Sequence, residues 1–139
     1  MNIFSPSQLV VYATSGEFVS YMDRYARECP RNKIPKKDEP HQLLQELADK
    51  GYAQEDVLEE AFRDKGLNVV TISDKLSNDE RYDLTIEAMR DGVDVICQAR
   101  LSYSSFAGFA DYIVKIDGHS CFGDFQYEVW DSKLSHAVK

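Results

Sequence analysis

Two carboxylates and a lysine occur in the last third of the sequence, in two segments whose residues alternate as in β-strands. Asp111 belongs to the segment 109–116, and Asp131 and Lys133 belong to the segment 125–133. If these segments form a hairpin that closes symmetrically about Cys121, Asp111 lies directly opposite Asp131. Directly opposed residues have Cβ atoms about 5 Å apart, so the two carboxylates would repel each other. A slip of one residue would move them to opposite faces, so this prediction depends on the register.

A divalent cation between the two carboxylates would remove the repulsion. Mg²⁺ takes oxygen ligands from one or two carboxylates and keeps water or phosphate oxygens in its other positions. Lys133 points to the same side of its strand as Asp131, because the two are two residues apart. An ammonium group there can orient a water molecule and stabilise charge on a phosphoryl group. The alternative is that Lys133 only neutralises Asp131 at the end of an edge strand.

A third carboxylate, Glu55, falls within the apolar stripe of a predicted helix. At roughly 100° per residue, it lies about 40° from Gly51 and about 60° from Leu58 around the helix axis. A carboxylate that faces the core is costly unless it is paired or bound to a metal. The pattern supports a second interpretation equally well: the helix breaks at Gly51, and Glu55 begins a second, exposed helix.

Several segments, in this order, resemble one family of enzymes. Gly108-Phe109-Ala110-Asp111, followed by Tyr127-Glu128-Val129-Trp130-Asp131-Ser132-Lys133-Leu134, is similar to the RecB-like branch of the PD-(D/E)XK nucleases. The helicase-linked and CRISPR-associated members carry the same motifs. The resemblance extends over 51–55, 66–70, 87–89 and 92–99, and so covers roughly 40–139. It implies an α/β fold with a mixed sheet flanked by helices, and metal-dependent hydrolysis of DNA phosphodiester bonds.

The resemblance also implies roles for individual residues near the end of the chain. Asp111 matches the acidic metal ligand of the family's second motif. Asp131 and Lys133 match the acid and the lysine of the third motif, and the Ser132 carbonyl is a further ligand. Asp111 and Asp131 would therefore hold Mg²⁺ or Mn²⁺, and Lys133 would position the attacking water.

The helix motif of the family departs from its usual form in this chain. A histidine normally follows the motif glycine by three residues, whereas here Gln54 follows Gly51 and Glu55 comes next. Gln54 or Glu55 would complete the metal site, although an amide is a poorer ligand for Mn²⁺ than an imidazole. The alternative function is therefore a weak or inactive nuclease-fold module that associates with DNA or with another protein.

The resemblance further implies a helix and a strand after the third motif, and we expect both to be lacking because the sequence ends at Lys139. An exposed sheet edge is usually covered, so we expect a homodimer. DNA and a helicase or another DNA-processing protein are the other expected partners. An iron–sulfur cluster of this family needs four cysteines, so the three scattered residues Cys29, Cys97 and Cys121 argue against such a cluster.

The elements that must position these residues follow from hydrophobic periodicity and turn residues. We expect a single domain, 1–139, that begins with a helical segment 1–29 weakened at Gly16. A basic, proline-containing linker 30–38 should follow. This linker is either a solvated connector or a contact to DNA phosphates. The nuclease core 39–139 should contain a helix 39–65, a strand 67–72, a helix 77–91, a strand 93–101 and the final hairpin. Thr85 is a candidate cap of the helix 77–91. The strand 93–101 should show strict alternation of apolar and polar residues.

The composition and charge of the chain argue against several classes of function. The 139 residues are 43% hydrophobic, and 16 basic against 24 acidic side chains leave a net charge of -8. This charge argues against binding of nucleic acid by bulk electrostatics, but not against an enzyme that reaches phosphates through a metal. No apolar run reaches the roughly 20 residues of a membrane span, and the first residues lack the pattern of a signal peptide. We therefore expect a cytoplasmic protein with no membrane partner.

Overall fold

The computed structural model describes residues 3–29 and 42–133, so the predicted linker 30–38 lies outside the described residues. The helices are α1 Pro6–Ser15, α2 Glu17–Glu28, α3 Gln42–Asp64 and α4 Asn78–Arg90; the strands are β1 Val69–Thr71, β2 Val95–Tyr103, β3 Phe106–Ser120 and β4 Gly123–Trp130. The chain divides into two compact units, which are Met1–His41 with Ser102–Gly108, and Gln42–Leu101 with Phe109–Lys139.

The first unit contains α1 and α2. The Ser5 hydroxyl accepts from the backbone of Gln8, whose side chain accepts from the backbone N–H of Ser5, a capping box that begins α1. Gly16 has a φ of 81° and separates the two helices, which confirms the predicted break. Within the same unit, the Phe4 N–H donates to the Ser105 carbonyl at 2.7 Å.

The second unit is built on a four-stranded mixed sheet in the order β1-β2-β3-β4. β1 and β2 are parallel, and β3 and β4 are antiparallel. On one face, Leu58 and Phe62 of α3 pack against Val95, Cys97 and Tyr112. On the other face, Ala88 and Met89 of α4 belong to a cluster with Ile96, Ala99, Ile113 and neighbouring apolar residues. The sheet is thus covered by helices on both faces, and the expected α/β class with a mixed sheet is observed.

The two helices of this unit end next to the predicted stop signals, and α4 also begins next to its predicted start, whereas the predicted start of α3 at residue 39 lies outside the described residues. The described part of α3 is continuous through Gly51, and the chain turns at Gly66 with a φ of 79°. Ser77 and Glu80 form the capping box of α4. Thr85 is not a cap: it is fully buried inside α4, where its hydroxyl donates to the Arg81 carbonyl at 2.7 Å and accepts from the Arg100 N–H at 3.1 Å.

The strict alternation predicted for the strand 93–101 is wrong. Cys97 packs on the α3 side, whereas Ile96 and Ala99, three residues apart, both join the α4-side cluster. The period of two breaks at Gln98, which has a φ of 55°. Since the Gln98 side chain reaches α3, two successive residues, Cys97 and Gln98, face the same helix, as at a β-bulge.

Candidate active site

The register of the final hairpin leads directly up to the two motif aspartates. Tyr112 pairs with Trp130, and the same register continues to the pair Asp117 and Phe125, with an irregularity only next to the turn. The ladder is therefore symmetric about Cys121, as predicted. Asp111 and Asp131 are the next two positions along this register, just after β4 ends at Trp130.

The contacts around this pair involve all of the third motif. The Ser132 N–H donates to Asp111 Oδ2 at 3.0 Å, and Lys133 Nζ forms a salt bridge with Asp131 Oδ2. Each of these carboxyl groups shifts the pKa of the other, so the Asp111 and Asp131 side chains lie close together. Asp111 is half-buried, whereas Asp131 and Lys133 are exposed. The structure thus brings together the three residues that were predicted to be catalytic.

The two carboxyl groups differ in proton affinity. Desolvation by burial raises the pKa of Asp111, and the neighbouring Asp131 raises it further against the opposing Ser132 hydrogen bond. The hydrogen bond from Lys133 lowers the pKa of Asp131. Asp111 is therefore the member of the pair that holds a proton more readily, and a cation that binds both carboxylates must compete with that proton.

Glu55 faces the sheet from α3, so of the two interpretations of its position the core-facing one is confirmed. Its Oε2 accepts from Gln98 Nε2 at 2.7 Å, and its backbone carbonyl accepts from the Tyr112 hydroxyl at 3.2 Å. Burial raises the pKa of Glu55, and the charge of Asp111 adds to this effect. The Glu55 carboxylate therefore contributes to the same electrostatic site as Asp111.

Gln54 links the helix to the third motif. Its side-chain amide nitrogen donates to the Lys133 carbonyl at 3.2 Å. Ser132 contacts Asp111 by donating its N–H to the carboxylate. The resemblance had implied a different role, in which the Ser132 carbonyl binds the metal. Gln54 and Ser132 therefore hold the third motif in place against α3 and β3.

The donor set suits a hard divalent cation, since Asp111, Asp131 and Glu55 offer only carboxylate oxygens and the charges of Asp111 and Asp131 raise the pKa of Glu55. Over the ranges 3–29 and 42–133, no three His, Cys, Asp or Glu side chains form a ready-made metal-binding group. Instead, Lys133 Nζ forms a salt bridge with Asp131 Oδ2, and the Ser132 N–H donates to Asp111 Oδ2. Binding of a metal by all three carboxylates would thus require their side chains to turn.

Sequence reasoning missed Gln98 and its contact with Glu55. Its backbone carbonyl accepts from an Arg81 guanidinium nitrogen at 3.1 Å, so the bulge is held from both faces of the sheet. The signal available in the sequence is the run Val95-Ile96-Cys97, in which three apolar residues precede the polar Gln98 without alternation. Such a run shows burial on both faces of the sheet, but it does not predict a bulge.

A comparison of the chain with protein-family models, with curated proteins and with solved structures gave no match. Among the helices that the structure describes, none is long and apolar enough to cross a membrane. A cavity of about 660 Å³ lies in the first unit, lined by residues such as Phe4, Leu9 and Tyr21. Its lining contains none of the predicted site residues.

Proposed function

We propose that the chain is a PD-(D/E)XK nuclease that hydrolyses DNA phosphodiester bonds with Mg²⁺ or Mn²⁺. The observation that carries the proposal is the close pair Asp111 and Asp131 at the end of the β3–β4 ladder, with Lys133 bonded to Asp131 and Glu55 on α3 near Asp111. Two carboxylates and a lysine at this spacing suit phosphoryl chemistry because they combine cation binding with a positive charge beside it. A helicase or another DNA-processing protein is the partner that this activity implies.

Each residue of the site has a distinct part in the proposed reaction. Asp111, Asp131 and Glu55 would hold the cation, which when bound polarises a phosphoryl oxygen and lowers the pKa of a bound water. Lys133 orients the attacking water and stabilises charge on the phosphoryl group through its ammonium. The Ser132 N–H fixes the orientation of Asp111, and Gln54 holds the backbone of Lys133.

A second candidate function is a nuclease-fold module with little or no catalysis that associates with DNA or with a protein. The observation that favours it is the contact of Gln54, whose amide nitrogen is already bonded to the Lys133 carbonyl in place of a histidine that could bind a metal. The existing contacts of Asp131 and Asp111 support it as well.

A cleavage assay separates the two functions. The chain is incubated with end-labelled single-stranded DNA and with supercoiled plasmid, in Mg²⁺, in Mn²⁺ and in EDTA. Asp111→Asn is compared with Asp117→Asn, which makes the same change at an exposed aspartate of the same strand. Metal-dependent cleavage that Asp111→Asn abolishes and Asp117→Asn keeps supports the nuclease. Absence of cleavage in both metals supports the inactive module.

A further inference from the structure

Two arginines converge on one aromatic ring in the second unit, outside the carboxylate site. The guanidinium carbons of Arg81 on α4 and Arg100 on β2 lie 4.2 and 4.5 Å from the ring centroid of Phe109 on β3. Arg81 is 8% exposed, whereas Phe109 is 53% exposed. The cluster is therefore buried at one arginine and open to solvent at the ring.

The positive charges of this cluster have no acidic partner. In the part of the chain that the structure describes, neither Arg81 nor Arg100 forms a salt bridge, although acidic residues outnumber basic ones. One guanidinium nitrogen of Arg81 donates to the Gln98 carbonyl, and its buried Nε has no hydrogen-bond partner. A buried donor without a partner is costly, so this arginine is short of an acceptor.

The two positive charges of the cluster, which no carboxylate neutralises, favour an anion as a ligand. Because both guanidinium groups lie over one ring, their charges are at most about 9 Å apart, close to the Debye length of roughly 8 Å at physiological salt. They therefore repel each other, and an anion bound by both would remove the repulsion. Guanidinium groups match the oxygens of a phosphate with paired N–H donors.

The position of the cluster suggests which phosphate it binds. Phe109 precedes Asp111 by two residues on β3, a distance of about 7 Å along the strand. Arg81 also holds the carbonyl of Gln98, whose side chain bonds Glu55. The cluster and the carboxylate site are therefore connected through β2 and β3.

We propose that Arg81 and Arg100, held over Phe109, bind a backbone phosphate of the DNA strand next to the phosphodiester bond that lies at Asp111 and Asp131. The identity of the ligand rests on the proposed nuclease function. Phosphate binding at the cluster itself does not require catalysis. In a chain with a net charge of -8, a local pair of unpaired arginines supplies the attraction that the overall charge lacks.

The test uses Arg100→Gln, since Arg100 is less buried than Arg81 and its bond to Thr85 uses only the backbone. Arg90→Gln is the control, because it makes the same change of charge at an exposed residue in the last turn of α4. The probe is a fluorescein-labelled 12-nucleotide single strand in EDTA, and its anisotropy is followed at several salt concentrations. EDTA prevents cleavage, so binding is measured apart from catalysis.

We expect Arg100→Gln to weaken binding about tenfold and to reduce the slope of log K against log salt by about 0.7, the value for one phosphate contact of a single strand. Arg100→Lys keeps the charge and should keep the slope while it weakens binding about threefold, because it loses the paired donors. Arg90→Gln should match the parent in both quantities. Circular dichroism and the melting temperature establish that each variant is folded.

Equal affinity and slope in Arg100→Gln and Arg90→Gln would overturn the proposal, and so would a parent chain that does not bind the strand. The cleavage assay separates this result from the fate of the nuclease. Loss of binding in Arg100→Gln with no cleavage by the parent leaves the phosphate site standing and refutes catalysis. Cleavage by the parent with unchanged binding in Arg100→Gln supports catalysis and refutes the phosphate site.

Discussion

Gln98 Nε2 donates a 2.7 Å hydrogen bond to Glu55 Oε2 from a residue whose φ is 55°. A residue other than glycine in this region of backbone conformation costs roughly 1–2 kcal/mol, so surrounding contacts must stabilise it. Glu55 bonds its side chain, and Arg81 bonds its carbonyl. The bulge therefore orients the carboxylate of Glu55 and connects it to the arginine cluster on Phe109.

Two substitutions at Gln98 separate the backbone strain from the hydrogen bond. Both Gln98→Ala and Gln98→Gly remove the bond to Glu55, but only glycine adopts a positive φ without strain. We expect Gln98→Gly to be more stable than Gln98→Ala by about 1 kcal/mol in urea denaturation. Equal stability, or a more stable alanine variant, would show that residue 98 does not hold this conformation in solution.

Divalent metal should stabilise the folded chain if Asp111 and Asp131 bind it. Mn²⁺ or Mg²⁺ at about ten times its Kd should add about 1.4 kcal/mol to the free energy of unfolding. For a chain of this size, that raises the melting temperature by about 4 °C. Asp111→Asn should lose the shift and Asp117→Asn should keep it, as measured by differential scanning fluorimetry. If millimolar metal leaves the melting temperature of the parent chain unchanged, the metal site is refuted.

Substitution of Lys133 should separate chemistry from binding. Lys133→Ala removes the ammonium beside Asp131, so we expect DNA cleavage to fall at least 100-fold while the metal-dependent rise in melting temperature persists. Lys75→Ala, which removes an exposed lysine in the loop before α4, is the control and should cleave at the parental rate. Full activity of Lys133→Ala would remove the assignment of catalysis to this site.

The ion pair of Asp94 and Lys115 should make stability depend on pH. Lys115 Nζ lies 2.7 Å from Asp94 Oδ1, and the Asn68 N–H donates to Asp94 Oδ2 at 2.9 Å. The hydrogen bond from Lys115, and then that from Asn68, hold the pKa of Asp94 below its usual value. A lowered pKa in the folded state gives stability that is complete above the unfolded value of about 3.9 and is lost as the pH falls through the folded value.

We therefore expect Asp94→Asn to lower the free energy of unfolding by about 1 kcal/mol at pH 7, a modest figure because both side chains are nearly one-third exposed. The difference between the parent and the variant should shrink below about pH 4 and vanish when Asp94 is protonated in both states. Urea denaturation at pH 7, 4 and 3 measures it. A difference that stays constant over this range would contradict the ion pair.

The cysteines should differ in reactivity. Cys97 is buried on β2, and burial raises the pKa of its thiol to about 11, whereas Cys121 is exposed in the hairpin turn. Because the thiolate is the reactive form, Ellman's reagent should modify Cys121 at once and Cys97 only after unfolding. Cys121→Ser should lose one equivalent of the fast phase, because the half-buried Cys29 remains. Rapid modification of Cys97 in the native chain would show that β2 opens readily.

Local signals in the sequence were enough for the elements and for the hairpin register. Capping residues at Ser5 and Ser77 and glycines at Gly66 and Gly92 mark helix ends because they act on backbone groups within one turn. The register that leads up to Asp111 and Asp131 follows from a short turn about Cys121, since the closure of a hairpin determines every pair along it. The metal, the DNA substrate, the helicase partner and the homodimer stay predictions.

Only the tertiary structure decided which face Glu55 presents, because periodicity alone supported a core-facing and an exposed position equally. The same holds for Gln98, Thr85 and the arginines over Phe109. Each has a partner on another helix or strand, 9 residues away for Arg100 and Phe109 and 43 residues away for Gln98 and Glu55. A sequence pattern reports the face of one helix or strand, whereas a bulge or a shared ring depends on how separate elements pack. That packing depends on the whole sheet, because α3 covers one of its faces and α4 covers the other.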